Sequence, residues 1–183
     1  MREIGACLLY NSRDHITRRQ ILTDVAQEVG ETVNYAVPRE KGMDYLDRVE
    51  TDWAFRIQLP IGSRVPFHCT ASGKTFLASL PNRKLSGFLE AIDLRRMTSN
   101  THVTKESLLA EIKAVRKNGY ALDREEFIDD MVAIAVPVKD PQSRYIAALA
   151  FHGPTQRINI NDAIAKKDML QTAAKKISES LFS

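Results

Sequence analysis

Two long apolar segments separated by a short turn dominate the last third of the sequence. The segments "MVAIAVPVKD" and "SRYIAALAFHGP" share the turn "KDPQSR", which is rich in turn-favouring residues. Apolar runs of this length, bounded by polar turns, are typical of strands buried in a sheet. The chain is therefore constrained to a fold class that contains a sheet.

The remaining segments switch between helix and strand patterns. Strand patterns occupy "ETVNYAVPR", "MDYLDRVE", "WAFRIQLP" and "YALDREEF". Apolar residues at helical spacing predict helices over about 12–29, 70–80, 83–91 and 104–118, and from about 161 to the C-terminus. This order favours an α+β (mixed α/β) class, in which a mainly antiparallel sheet is flanked by helices.

The composition limits the classes of protein to which the chain can belong. Its 183 residues suit a single compact domain, and a net charge of +3 is too small for a dedicated nucleic-acid-binding surface. No apolar run approaches the roughly 20 residues of a membrane span, and Cys7 and Cys69 lack metal or disulfide spacing. We therefore expect a cytoplasmic protein with no membrane contact and no cofactor.

The segment "HCTASGKT" resembles the end of a nucleotide-binding P-loop. A P-loop needs a glycine five residues before Gly73, and His68 stands there instead. Ser72 also lacks the glycine-flanked elbow of a hydrolase nucleophile, because Thr70 replaces the first glycine. Cys69 is expected to be an inward-facing, unreactive thiol. No catalytic residue is therefore predicted in this segment.

The same segment does predict a helix that begins with small residues. Thr70 or Ser72 can cap this helix, and the backbone N–H groups at a helix start lack partners within the helix. These groups, together with the helix dipole, favour a negative group. Two interpretations stay open at this point: an anion-binding helix start, and an ordinary capped helix that binds nothing.

Acidic and histidine side chains supply further polar groups. The segment "DREEFIDD" lacks calcium-loop spacing and no HExxH motif occurs, so no metal site is predicted. The acidic cluster is typical of a solvated turn, with Asp123 as the member best placed to face a pocket. His152 ends an apolar strand, where its ring either points into a cavity or caps the strand. Lys74 is expected to be a solvated or structural helix residue.

Several segments occur in an informative order along the chain: "VGETVNYAV", "DYLDRVE", "GSRVPFHCTASGKTFLASLP", "KNGYALDREEF", "VAIAVPVKD" and "AALAFHGPTQRI". From about Arg19 to the C-terminus, their order and spacing resemble the GAF-like effector-binding domain of IclR-family transcription regulators. The resemblance implies a homodimer or tetramer that contacts DNA only through an N-terminal winged helix-turn-helix domain. "IGACLLYN" resembles the connector to that domain. We therefore assign 1–12 as a remnant of the connector and 13–183 as the effector-binding domain, with no helix-turn-helix in this chain.

In this family the effectors are small organic acids, aromatic acids among them. The resemblance implies that the effector carboxylate lies on backbone amides at the helix start. It also implies that an acidic residue and the last two strands complete the pocket. The implied effector-binding residues are Thr70, Ala71, Ser72, Asp123, Ala133, Ala150 and His152. Apolar walls are expected from Leu59, Phe67, Met131 and Ala150.

The chain departs from the family pattern at two places. A Ser-x-Ser pair common on the last strand is here Ala150-Phe151-His152, and the glycine usual after the acidic segment is here Asp130. A histidine can pair with a carboxylate or a phenolic hydroxyl, so pyruvate or glyoxylate is not assumed to be the effector.

We expect a ligand-sensing regulatory domain rather than an enzyme, and two alternatives stay open. One is a GAF-like enzyme that uses Cys69 or His152, which requires an accessible thiol of low pKa. The other is an oligomerisation module whose pocket takes no ligand.

Overall fold

The computed structural model of the protein describes residues 12–57, 59 and 62–182. Almost all of the segment assigned to the connector therefore lies outside the described residues. The helices are α1 (Ser12–Val29), α2 (Ala71–Ser79), α3 (Asn82–Ala91), α4 (Lys105–Asn118), α5 (Ile160–Ala165) and α6 (Lys167–Phe182). The strands are β1 (Thr32–Arg39), β2 (Gly42–Val49), β3 (Arg64–Val65), β4 (Ala121–Arg124), β5 (Met131–Lys139) and β6 (Tyr145–Pro154).

Within the described residues, six strands form one sheet in the order β3-β2-β1-β6-β5-β4. Every neighbouring pair is antiparallel. The predicted hairpin of β5 and β6 lies inside this sheet, and its pairing runs from Met131–Pro154 to Lys139–Tyr145. Helices pack on both faces. The predicted α+β class, with a mainly antiparallel sheet flanked by helices, is therefore confirmed.

The two faces of the sheet differ in side-chain size, because successive residues of a strand point to opposite faces. Val132, Ile134 and Val136 point to the face on which α1, α5 and α6 pack, and they belong to the larger core. Ala133 and Ala135 point to the other face, which packs against α2, α3 and α4. The short alanine side chains allow α2 to lie close to the sheet.

Thr70 and Gly73 fix the start of α2. Thr70 Oγ1 accepts a hydrogen bond from the Gly73 N–H at 3.1 Å, which confirms the predicted cap. A Cβ added to Gly73 would lie 2.3 Å from the carbonyl oxygen of Phe67. Glycine is therefore required for α2 to approach the preceding turn this closely.

The strand predicted for "WAFRIQLP" is wrong for the residues of this segment that the structure describes. Residues 53–57 and 59 form no strand. Trp53 and Phe55 are 54% and 61% exposed, so their alternation does not mark a buried face. Trp53 instead donates a hydrogen bond from its indole nitrogen to the carbonyl of Gly30, at the end of α1.

The predicted C-terminal helix is divided into α5 and α6. Asn159 and Asp162 form a capping box that starts α5, and the helix ends at Ala165 with Lys166 as its C-cap. The predicted apolar face is confirmed on α6, where the buried residues are Leu170, Ala173, Ala174, Ile177 and Leu181. Across the described part of the chain, no helix combines the length and the apolar character that crossing a membrane requires.

Candidate functional site

The seven residues predicted for the effector site meet at one small cavity beneath the start of α2. The cavity lies between this helix start, the alanine-rich face of the sheet and the turn after β4. Its volume is about 10 Å³, close to the space of one water molecule. It is lined by Asn34, Tyr45, Thr70, Ala71, Ser72, Asp123, Phe127, Met131, Ala133, Ala150, Phe151 and His152.

Three neighbouring strands place Asp123, Ala133 and His152 in a row across the sheet. Ala133 on β5 is the antiparallel partner of both Asp123 on β4 and His152 on β6. Directly paired residues share a face, so the carboxyl and imidazole groups stand on either side of the Ala133 methyl. Ala150, two residues before His152, extends this floor of small side chains.

The start of α2 supplies backbone donors to the same cavity. The Thr70 carbonyl accepts a hydrogen bond from the backbone N–H of Lys74 at 3.0 Å. Thr70 Oγ1 accepts one from the backbone N–H of Gly73 at 3.1 Å. The N–H groups of Ala71 and Ser72 have no acceptor within the described part of the chain. These two amides and the helix dipole therefore favour a negative group at this point.

Asp123 is a buried carboxyl group with one free oxygen. Its Oδ1 accepts hydrogen bonds from the N–H groups of Glu126 at 2.7 Å and Phe127 at 3.4 Å, and Oδ2 has no partner among the described residues. Burial raises the pKa of Asp123 to about 7, the charge of Glu126 adds to this shift, and Lys74 opposes it. Near neutral pH the carboxyl group can therefore either donate or accept a hydrogen bond.

His152 is buried beside two polar residues of β1 and β2. Its Nδ1 lies 3.0 Å from Asn34 Nδ2, and its Nε2 has no partner in the described chain. Arg48 donates to Asn34 Oδ1 at 3.1 Å. Burial and then the positive charge of Arg48 lower the pKa of His152 to about 3, while the nearby Ile57 carbonyl opposes the shift to a smaller extent. The ring is therefore neutral at physiological pH.

Lys74 is completely buried in a salt-bridge network. Its Nζ lies 2.7 Å from each carboxylate oxygen of Glu126 and 3.0 Å from Glu111. His102, Glu111 and Glu126 are close enough together to hold a metal ion, but the Lys74 ammonium already bridges the two carboxylates. We therefore assign this cluster as an internal ion pair.

The same network corrects one part of the prediction that the acidic segment is a solvated turn, because Asp129 and Asp130 are exposed as predicted but Glu126 is buried. Glu126 is 2% exposed, and its N–H holds Asp123 in place. Asp130 has φ +59°, the left-handed conformation that glycine favours and that aspartate adopts more readily than most residues. Asp130 therefore adopts the backbone conformation that the turn requires, although the family usually has a glycine at this position.

Two of the predicted wall residues lie elsewhere. Phe67 packs against Phe76 and Phe88, with ring centroids 5.1 and 5.2 Å away. Leu59 packs against the same hydrophobic cluster. Phe67 lies in the segment between β3 and α2, and its ring packs on side chains of α2 and α3. Met131 and Ala150 line the cavity as predicted.

Sequence reasoning missed four residues that line the cavity, and one of them is Phe151 on β6, next to the predicted His152. Asn34 lies on β1, Tyr45 on β2 and Phe127 in the turn after β4. Asn34 is 1% exposed and interrupts the apolar run "TVNYAV". A polar residue within a buried strand needs hydrogen-bond partners, and this was the signal that could have identified it.

Cys69 does not have the properties of a nucleophile. The thiol is fully buried, and burial together with the charges of Asp123 and Glu126 raises its pKa. The accessible, low-pKa thiol that the enzyme alternative requires is therefore not found at Cys69.

A larger cleft of about 560 Å³ lies beside β3 and α3. Two of its polar side chains are engaged, because His68 Nε2 donates to the Arg95 carbonyl at 2.9 Å and Arg64 binds Asp44 at 2.9 Å, whereas His68 Nδ1 has no partner among the described residues. None of the seven predicted residues lines this cleft. The convergence of polar groups, rather than volume, therefore identifies the smaller cavity as the candidate site.

A comparison with protein families defines the class to which this fold and cavity belong. The model of the family described as "Bacterial transcriptional regulator IclR C-terminal" matches residues 11–179. The chain therefore belongs to this family and is an effector-binding domain of an IclR-type transcriptional regulator.

Relatives of known identity are bacterial transcription regulators. The chain is 34% identical over 174 residues to the probable transcriptional regulator SauR of Cupriavidus necator, covering 95% of this chain and 69% of that protein. It is 31% identical over 160 residues to the HTH-type transcriptional regulator XynR of Escherichia coli, covering 87% and 64%. The chain thus spans about two thirds of the length of these relatives.

Solved structures share the fold. The Thermotoga maritima IclR structure superposes with a TM-score of 0.87 at 28% identity, covering 99% of this chain and 73% of that one. A double mutant of the PobR inducer-binding domain from Acinetobacter, solved as a complex with 3-hydroxybenzoic acid, superposes with a TM-score of 0.80 at 27% identity, covering 87% and 94%. These neighbours confirm the predicted GAF-like fold.

Proposed function

We propose that this domain senses a small organic acid, aromatic acids included, and thereby controls DNA binding by a winged helix-turn-helix domain of the same regulator. The observation that carries the proposal is the convergence of two free backbone amides with Asp123 and His152 at one cavity. The likeness to the PobR inducer-binding domain, solved with an aromatic acid, supports this class of ligand. Under this proposal, 1–12 belong to the connector, 13–183 form the sensor, and the regulator acts in the cytoplasm as a homodimer or tetramer.

The carboxylate of the acid binds the N–H groups of Ala71 and Ser72. A carboxylate that leaves water needs hydrogen-bond donors, and two amides at a helix start supply them. The remainder of the acid lies over Ala133, between Asp123 and His152. Small side chains on the floor of the cavity leave room for it.

The acid binds to a more open arrangement of the cavity, because a volume of about 10 Å³ is too small for it. Phe127 and Met131 are the large apolar side chains of the lining that come from the turn after β4 and the first position of β5. Displacement of this segment would enlarge the cavity without disturbing the floor. An acid that binds only the open arrangement shifts the population towards it. We propose that this shift changes the relation between protomers and so the spacing of the DNA-binding domains.

The proposal is tested by thermal unfolding in the presence of a panel of keto, sugar and aromatic acids. An acid at about 100 times its Kd raises the unfolding free energy by about 2.7 kcal/mol. For a domain of this size the corresponding rise in Tm is about 5–10 °C. The variant Ser72→Trp fills the helix start and should abolish the rise, whereas Ser86→Trp, at an exposed position on α3, should retain it. The absence of a rise with every acid, or equal rises in both variants, would contradict the proposal.

A further inference from the structure

Arg48 fixes the orientation of the Asn34 amide. Arg48 Nη1 lies 3.1 Å from one end of this amide, and a guanidinium can only donate, so that end is the carbonyl oxygen. Arg48 is itself buried and held by the Ile57 carbonyl at 3.0 Å and the Glu50 carboxylate at 3.2 Å. The NH2 end of Asn34 therefore points towards His152.

Asn34 in turn fixes the position of the hydrogen on His152. Its NH2 group lies 3.0 Å from Nδ1 and can only donate, so Nδ1 is an acceptor without a hydrogen. The neutral ring then carries its hydrogen on Nε2. No acceptor reaches Nε2 within the part of the chain that the structure describes. The Ile57 carbonyl lies near the ring and accepts a hydrogen bond from Arg48 at 3.0 Å, but it makes no hydrogen bond with Nε2.

We propose that His152 determines the specificity of the cavity, because Asn34 and Arg48 hold it as a hydrogen-bond donor that selects acids with a second acceptor oxygen. This inference rests on the proposed function and names the ligand class for the same site. The helix-start amides engage the carboxylate, so the oxygen that meets the Nε2–H is a separate hydroxyl, keto or ether oxygen. An apolar group at the same position leaves a buried N–H unpaired, which disfavours binding.

The neutral state of the His152 ring narrows the class of expected ligands further. A neutral imidazole offers a hydrogen bond but no salt bridge, so a second carboxylate on the ligand would be buried without a cation from His152. The preferred effectors are therefore monocarboxylic hydroxy- or oxo-acids. Asn34 and Arg48 act as positioning residues, since they reach the ligand only through the imidazole.

Isothermal titration with matched acids tests the inference. The probes are benzoate, the three hydroxybenzoates, the three methylbenzoates, and the aliphatic pair 4-oxopentanoate and 4-methylpentanoate. Oxygen and methyl substituents are similar in size, so the members of each pair differ mainly in the ability to accept a hydrogen bond. We expect at least one oxygen-bearing acid to bind about tenfold more tightly than its methyl counterpart. The preference should disappear in His152→Phe and persist in His152→Gln, whose amide still donates.

The position of the hydrogen on the ring is tested independently by ¹⁵N NMR of the histidine side chains. The wild-type protein should show the neutral Nε2–H form of His152. In Asn34→Asp a carboxylate, which only accepts, faces Nδ1 and should draw the hydrogen to that nitrogen. A purely structural role for Asn34 would leave the tautomer unchanged. A wild-type ring in the Nδ1–H form would overturn the inference.

The outcomes of the titration separate this inference from the function on which it rests. Equal affinities within every pair, with any of the acids binding, overturn the role of His152 and leave the proposed function standing. No binding by any probe or by the wider panel overturns both. If His152→Phe does not fold, the comparison of His152→Gln with the wild type and the tautomer of Asn34→Asp decide the question.

Discussion

Asp123 and His152 lie on the same face of the sheet, separated by one strand on which Ala133 is the antiparallel partner of both. Burial is the main cause that raises the pKa of Asp123 to about 7 and lowers the pKa of His152 to about 3. Both groups are therefore pushed towards their neutral forms. A bound carboxylate would accordingly be held mainly by the amide dipoles at the start of α2.

The raised pKa of Asp123 predicts a dependence of stability on pH. The folded protein keeps this proton up to a pH near 7, whereas an unfolded chain releases it near pH 3.9. The folded state then binds more protons than the unfolded state, so the unfolding free energy falls as the pH rises through this interval. We expect this group to lower the unfolding free energy by about 2–3 kcal/mol between pH 5 and pH 8. The lowered pKa of His152 gives an opposite slope below about pH 6.5, so the contribution of Asp123 is measured by urea unfolding as the difference between the wild type and Asp123→Asn.

Two aspartate variants serve as the matched pair for this prediction. Asp123→Asn should remove the falling contribution, so that its unfolding free energy rises more steeply than that of the wild type between pH 5 and pH 8, because an amide does not titrate. Asp129→Asn, at an exposed position of the same segment, should keep the wild-type slope. Identical slopes in the two variants would assign the pH dependence to another group.

Removal of the Lys74 ammonium should destabilise the domain strongly. Lys74→Met leaves the buried Glu126 carboxylate without its cation, and breaking a buried pair in this way costs about 3–5 kcal/mol. The double variant Lys74→Met/Glu126→Gln removes the uncompensated charge and should recover most of the loss. Lys84→Met, on the exposed side of α3, should stay within about 0.5 kcal/mol of the wild type. A double variant no more stable than Lys74→Met would contradict this account.

Two glycine positions should respond in opposite directions to alanine. A Cβ at Gly73 would lie 2.3 Å from the Phe67 carbonyl oxygen, so Gly73→Ala should lower the unfolding free energy by at least about 2 kcal/mol. A Cβ at Gly87 meets no atom within 4 Å, and this glycine lies inside α3. Gly87→Ala should therefore stabilise by about 0.5–1 kcal/mol. Both changes can be measured by calorimetry, and a neutral Gly73→Ala would show that α2 can shift away from Phe67.

Cys69 should resist thiol reagents in the folded protein. Burial shields the sulfur and raises the pKa of the thiol, so the reactive thiolate is scarce. The test uses Cys7→Ser, which leaves Cys69 as the only thiol, and follows reaction with an aromatic disulfide at pH 7. Reaction should require denaturant. Rapid labelling of the native protein would revive the enzyme alternative.

Local sequence patterns were sufficient to predict the strands at the centre of the sheet and the start of α2. The alternation in "MVAIAVPV" separates Ala133 and Ala135 from Val132 and Ile134, and the two sets do face different helices. The cap at Thr70 was predictable from a small polar residue before an apolar helical run. These features depend on neighbours that are close in sequence.

The polar network around His152 depends on neighbours that are distant in sequence. Asn34 contacts His152 across 118 residues and Arg48 across 14, because β1 pairs with both β6 and β2. Strand patterns alone do not specify which strands become neighbours, so this network was missed. The burial of Lys74 depends in the same way on Glu126, 52 residues along the chain.

Backbone amide NMR is the sharpest test of whether an acid binds through its carboxylate at the start of α2. The acid that gives the largest rise in Tm would be titrated into ¹⁵N-labelled protein and the shift of every assigned amide followed. We expect the largest saturable shifts at Ala71 and Ser72, with smaller ones along β5 and β6. Shifts confined to the cleft lined by His68 and Phe88, with Ala71 and Ser72 unmoved, would contradict it.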